Sequence, residues 1–367
     1  MTYSNPYQAL PSYTRWSKAI GGLSATDVDP AADGFPFHIK AEDKVATGGS
    51  CFAQHIARHL SSKGFNYFVV EPGHQIISLN PSLKTTYNYG TYSARYGNIY
   101  TSRQLLQLIK RAYGTFTPVE SVWTDKNGRI LDPFRPEIQP NGFSSLKELE
   151  FDRKAHLEAV RTMFEELDVF VFTLGLTEYW YSRADQAALP MCPGVSGGIY
   201  DEAKYGFANL TVDDVVRDMQ EFIEILRSVN RKAKIVLTVS PVPLAATAEN
   251  RHVLVSTTYS KSVLRVAAEI IKNQNQLVGY FPSYEIITGN FNRGGYYADN
   301  LRDVVESGVS HVMRLFLQHA TVQRGDASIP VANDTKPAGD FYKNMDRVIQ
   351  TVCEEALIEA SLEENSG

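Results

Sequence analysis

Five apolar runs alternate with helix-like stretches along the chain. The runs are residues 44–47 (KVAT), 67–70 (YFVV), 168–174 (DVFVFTL), 234–239 (KIVLTV) and 277–281 (LVGYF). Each stops at a breaker: the second at Glu71-Pro72-Gly73, the third at Gly175, the fourth at Ser240-Pro241-Val242-Pro243, the fifth at Pro282. Runs that are apolar at nearly every position are buried on both faces, which is the signature of parallel sheets. Between them the spacing predicts helices over 51–63, 102–113, 152–166, 212–229, 258–273 and 304–319. The first ends at Gly64, a favourable C-cap. The second carries Leu105, Leu106, Leu108 and Ile109 and ends at Gly114. Strand and helix in alternation predict an open, doubly wound α/β fold with a five-stranded, mostly parallel sheet and crossover helices.

Two stretches break the alternation. Residues 115–145 are rich in Pro and Gly and lack a period, so they read as an insertion. Residues 321–340 are polar and read as a linker to a final helix at 341–362, with Met345, Val348, Ile349, Val352 and Ala356 along it. The expected organisation is therefore an extension at 1–42, a main domain at 43–320, the linker and the helix. In a sheet of this kind ligands bind beyond the carboxyl ends of the strands. That edge is formed by the loops 48–52, 71–97, 175–180, 240–259 and 282–303.

The first of these loops is the richest in chemistry. Gly48-Gly49-Ser50-Cys51-Phe52-Ala53 joins the first strand to the first helix. The glycines permit a sharp turn. Ser50 and Cys51 then stand at a helix N-terminus, where unpaired N–H groups and the helix dipole favour negative charge. This is the layout of a nucleophile elbow, with donors placed to hold an oxyanion. Ser50 after two glycines is equally a preferred N-cap, and a free Cys commonly packs as a small apolar residue.

Composition narrows the classes of function. The chain has 367 residues, 43% hydrophobic and 21% charged, with a formal net charge of −5. It carries no basic block, so a nucleic-acid partner is not expected. No apolar run approaches the length of a transmembrane segment and no signal peptide is evident, which favours a cytoplasmic location. The three cysteines, Cys51, Cys192 and Cys353, suit neither a disulfide framework nor a metal motif. His55 and His59 are one helical turn apart but lack a third ligand motif, so no metal and no cofactor are expected.

Gly49-Ser50-Cys51-Phe52-Ala53 resembles the signature of the GSCFA family, relatives of the SGNH/GDSL esterases and acyltransferases. Residues 173–178 (TLGLTE), 238–243 (TVSPVP), 259–262 (YSKS) and 280–285 (YFPSYE) resemble family blocks in family order, over roughly 43–317. The resemblance implies a three-layer α/β/α sandwich of SGNH/flavodoxin type. It also implies acyl transfer from a small-molecule or carbohydrate ester, with an acyl-CoA donor if the acceptor is a sugar hydroxyl rather than water. A link to surface-polysaccharide chemistry is implied in the same way.

Against the SGNH pattern, the nucleophile slot falls on Ser50 or Cys51, according to register. Thr177 in Gly175-Leu176-Thr177-Glu178 replaces the expected Asn. Gly49, Asn80, Gly90, Gly175 and Glu178 are further candidates for oxyanion or substrate contacts. Counting back from Gly308, Asn300 and Asp303 occupy the places of the catalytic Asp and His. A carboxylate at Asp303 does not replace imidazole as a base at neutral pH. The expected base is then His252, in the loop after the fourth strand. The other class of function left open is a non-catalytic carbohydrate- or partner-binding protein.

Overall fold

The computed structural model describes residues 5–74, 77, 80–322, 357, 358 and 361, without the side chains of Cys51, Pro81 and Thr85. Most of the expected linker and final helix lies outside these residues. The strands are β1 (Val45–Gly49), β2 (Trp123–Thr124), β3 (Ile130–Leu131), β4 (Val169–Leu174), β5 (Glu178–Ser182), β6 (Ala188–Leu189), β7 (Tyr205–Asn209), β8 (Lys234–Val239) and β9 (Val278–Tyr280). The helices are α1 (Trp16–Ala19), α2 (Cys51–Ser62), α3 (Pro81–Thr86), α4 (Ser102–Ala112), α5 (Leu146–Glu166), α6 (Val212–Val229), α7 (Val253–Gln274), α8 (Ser283–Thr288) and α9 (Glu306–Ala320).

The central sheet is parallel throughout, in the order β1-β4-β8-β9. Side chains alternate between its faces, as the two-residue period of a strand requires. Ala46, Phe170, Phe172, Ile235 and Leu237 pack on one side with α4, α5, α6 and α7. Val45, Val169, Val171 and Val236 pack on the other with α2, α8 and α9. Both faces are thus covered by helices, which is why these strands are apolar at nearly every position. Residues ahead of β1 also join the second face. Ile39 is bridged to Thr321, and His311 Nε2 lies 3.0 Å from the Val28 carbonyl.

The sheet has four strands, not the five expected. Residues 67–70 lie along the free edge of β1 but contribute only a parallel bridge between Tyr67 and Val45. The reason lies in how β1 is bonded beyond Val45. The Thr47 N–H donates to Ser93 Oγ at 3.0 Å, and the Tyr96 hydroxyl donates to the Thr47 carbonyl. Ile99 N–H then donates to the Gly49 carbonyl at 2.9 Å. The loop 93–99 satisfies the strand edge with two side chains and one backbone group, so no partner strand is required there.

A second, antiparallel sheet, β6-β5-β7, follows the end of β4. The hairpin β2–β3 from the insertion packs on it through Trp123 and Leu131 against Leu189 and Tyr205. Two helices also start earlier than their apolar spacing suggested. α5 begins at Leu146 because Ser145 caps it, accepting from Glu148 N at 3.2 Å. α7 begins at Val253 because His252 caps it. Among the described residues no helix is long and apolar enough to cross a membrane.

Candidate functional site

The elbow is built where β1 meets α2. Gly49 has φ +131°, and a Cβ there would lie 2.5 Å from the Thr173 carbonyl oxygen on β4. Only glycine allows so close an approach in that conformation. Ser50 follows at the N-cap position of α2, 4% exposed. It does not cap: its Oγ makes no hydrogen bond among the described residues. A buried hydroxyl without a partner costs about 1–3 kcal/mol. Cys51 opens α2, and its side chain lies outside the described set.

Gly175, at the end of β4, forms the wall beside the elbow. A Cβ on it would stand 3.4 Å from Ser50 Cβ and 3.0 Å from the Tyr100 carbonyl. Its N–H and that of Leu176 both donate to that carbonyl. Its own carbonyl accepts from Lys261 Nζ at 2.7 Å. Lys261 is 1% exposed, so α7 delivers its buried side-chain nitrogen to this wall.

The other sequence candidates are placed less directly. Thr177 N–H donates to Ser260 Oγ at 3.1 Å and its hydroxyl donates to Asn209 Oδ1 at 2.6 Å. Glu178 accepts from Thr247 Oγ1 at 2.7 Å and from Ala248 N–H at 3.2 Å, which fastens the loop after β8. Burial pushes its carboxyl above the ordinary carboxylate value in spite of those bonds. Asn80 accepts from Ser82 and Leu83 N–H, closing the turn into α3. Gly90, with φ +73°, makes a turn against Lys84.

His252 is exposed, and its Nδ1 accepts from Leu254 N–H at 3.2 Å as the cap of α7. The structure therefore does not bring its ring into a hydrogen bond with Ser50. Asn300 and Asp303 bond to each other at 2.8 Å within one turn, as Asn300 Nδ2 donates to Asp303. His55 points elsewhere on α2, against Phe52. Burial, helped by Arg58 and His59, pushes its imidazole down to about 3, so it is neutral at pH 7. No group of three His, Cys, Asp or Glu among the described residues is arranged to hold a metal ion.

Sequence reasoning placed 71–97 at the sheet edge but missed how residues 93–99 bond to β1 and the chemistry behind them. Asn98, 2% exposed, accepts from the Tyr92 hydroxyl at 3.0 Å. That hydroxyl in turn accepts from Gln54 of α2 at 2.9 Å. His156 was missed as well, although it sits on the same buried face of α5 as Leu149, Val160 and Met163. A titratable residue within an apolar stripe was the available signal.

Fold and site together define an α/β protein whose parallel sheet carries a strand–turn–helix elbow, with Ser50 and Cys51 at the turn. The GSCFA family profile matches residues 44–316, more than half of the chain, and the protein belongs to the GSCFA family. No curated protein matches it.

Proposed function

We propose that this protein is an acyl-transfer enzyme with a three-layer fold of SGNH/flavodoxin type, an esterase or O-acyltransferase for an acylated carbohydrate or other small ester. The observation that carries the reading is the buried Ser50 hydroxyl at the start of α2, which has no hydrogen-bond partner among the described residues. It supports a turn kept open for a reacting group rather than used as a cap.

Ser50 and Cys51 are both candidate nucleophiles at this turn, and the helix N-terminus favours Cys51. A thiol at a helix N-terminus has a lowered pKa, and its thiolate attacks without a general base. The sulfur bonds to the acyl carbon, the carbonyl oxygen gains negative charge beside the first N–H groups of α2, and the ester C–O bond breaks. The alcohol leaves with a proton from solvent. Water or a sugar hydroxyl then takes the acyl group and releases the sulfur; an acyl-CoA enters by the same first step. A reducing cytoplasm would keep the thiol free.

The alternative, a binding protein without catalysis, is favoured by one observation. Two of the expected oxyanion donors, the Gly175 N–H and the Thr177 hydroxyl, are committed to Tyr100 and Asn209. Hydrolysis of a chromogenic acetyl ester, with acetyl-CoA plus sugar acceptors as a second assay, separates the two. The enzyme reading expects Cys51→Ala or Ser50→Ala to reduce kcat/KM by about a hundredfold or more. Wild-type rates in both variants would remove the elbow from the mechanism, and an inert wild-type protein would leave the binding reading.

A further inference from the structure

A second constellation lies behind the loop 93–99, on the face of the sheet covered by α4 and α5. Tyr96, Asn98, Gln104, Arg111, Arg135 and His156 line a cavity of about 30 Å³. Its charges do not balance. Arg95, Arg111, Arg135 and Arg153 gather here with Glu71, Asp132 and Asp152. Arg95 and Arg135 share Asp152, while Arg135 and Arg153 share Asp132. Glu71 is held by His156 Nδ1 at 2.7 Å. Arg111 has no ion pair among the described residues; its guanidinium lies over the Phe134 ring, 4.0 Å from the centroid.

Burial pushes the Arg111 guanidinium down to about 10, with Asp132 opposing and Arg135 and Arg153 adding to the effect, so it stays cationic at neutral pH. A charge in such surroundings is costly unless an opposite charge meets it. The polar groups around it also have capacity to spare. His156 is 1% exposed, and its Nε2 has no hydrogen-bond partner among the described residues. Gln104 commits its side-chain oxygen to the N–H groups of Tyr100 and Thr101, which leaves its amide NH2 as a donor. Among the described residues Arg135 Nη1 has only a long contact, 3.5 Å, to the Arg95 carbonyl.

We propose that this cavity is an oxyanion site that takes the carboxylate or phosphate group of a small ligand, with Arg111 as its principal cation. A guanidinium fork matches either group in a bidentate manner. The small volume suits the charged end of a ligand whose remainder extends outward past Gln107 and Pro190, which also line the cavity. His156 Nε2 serves an acidic hydroxyl of the ligand or, once protonated, a second oxygen. The site goes beyond the acyl-transfer reading and holds whichever residue acts at the elbow.

Calorimetric titration of the full chain with inorganic phosphate and with glucuronate tests it, with glucose as the uncharged control. One or both anions bind at a single site, and glucose does not. Binding of phosphate alone assigns a phosphate ligand, and binding of glucuronate alone assigns a carboxylate. Arg111→Gln weakens binding by about tenfold or more. If that variant fails to fold, Arg111→Lys retains the charge without the fork and is expected to bind more weakly than wild type. The proposal is overturned if neither anion binds the wild-type protein at up to about 10 mM, or if a folded Arg111 variant binds as wild type does.

Discussion

His156 Nδ1 lies 2.7 Å from a carboxylate oxygen of Glu71, tying the loop after residues 66–70 to the middle of α5. Burial alone would raise the Glu71 carboxyl. The His156 imidazole, the Arg95 N–H and the Arg135 guanidinium outweigh it and hold the group below its ordinary value of 4.5. A carboxyl depressed in the folded state contributes stability above its unfolded value, and that stability is lost as the pH falls through the folded value. His156 is also lowered, by burial first and then by Arg135, with Glu71 opposing. Its unfolded form takes up the proton first, so acidification below 6.5 likewise favours unfolding. Glu178 and Asp218 are raised by burial and act in the opposite sense, which makes the comparison with a variant more telling than the wild-type profile alone. Glu71→Gln is expected to reduce the unfolding free energy at pH 7 by about 1–3 kcal/mol. The gap to wild type should narrow as the pH falls below 4.5. Urea denaturation across that range checks this; a gap independent of pH would deny the Glu71 carboxylate its role.

Gly49 and Gly48 are adjacent, yet their substitution should differ sharply. A Cβ on Gly49 meets the Thr173 carbonyl at 2.5 Å with φ at +131°, whereas one on Gly48 meets the edge of the Phe170 ring at 3.0 Å. The first contact is with backbone in the β1–β4 ladder, which cannot yield without breaking the pairing. Gly49→Ala should cost about 3 kcal/mol or more, from clash and backbone strain together. Gly48→Ala should cost less, because a side chain can shift. Equal costs in denaturant titrations would contradict this account of the turn.

The parts of the fold that were legible in sequence are those set by local pattern. Val169 to Leu174 is apolar at nearly every position because Val169 and Val171 face one helical layer while Phe170 and Phe172 face the other. The turn at Gly48-Gly49 was legible because backbone geometry selects the residue type. Residues 67–70 misled for a different reason. Their composition suits a strand, but whether they pair depends on Ser93 and Tyr96, which reach Thr47 from far along the chain. The sheet β5–β7 was hidden because Glu178 to Ser182 sets three consecutive aromatics between two polar residues, with no period-two pattern, beside what looked like an ordinary edge loop. The Arg135–Asp152–Arg95 network escaped for the same reason as the strand edge: its members come from three segments that only the tertiary fold brings together. At the elbow, Ser50, Cys51 and Gly175 were legible as candidates, but the Lys261 contact was not, since nothing local indicates that Lys261 reaches Gly175.

His252 and Lys261 offer the sharpest contrast at the proposed active site. His252 accepts the Leu254 N–H at the exposed start of α7, so His252→Ala should cost about 0.5–2 kcal/mol, as loss of a cap does, and leave ester turnover unchanged. Lys261 sits one layer inward on the same helix, buried, with Nζ on the Gly175 carbonyl. Lys261→Met keeps the length and apolar stem of the side chain, removes the amino group and frees the wall beside Ser50. Loss of the hydrogen bond to the Gly175 carbonyl should cost about 1–3 kcal/mol. Turnover should nonetheless fall by about tenfold or more, in kcat rather than KM, because the displaced wall affects the reacting geometry more than substrate binding. Stopped-flow or steady-state assays on the two variants, each checked for folding, decide between them. Loss of turnover in His252→Ala with full activity in Lys261→Met would return the imidazole to the role of base and make Lys261 a structural residue alone.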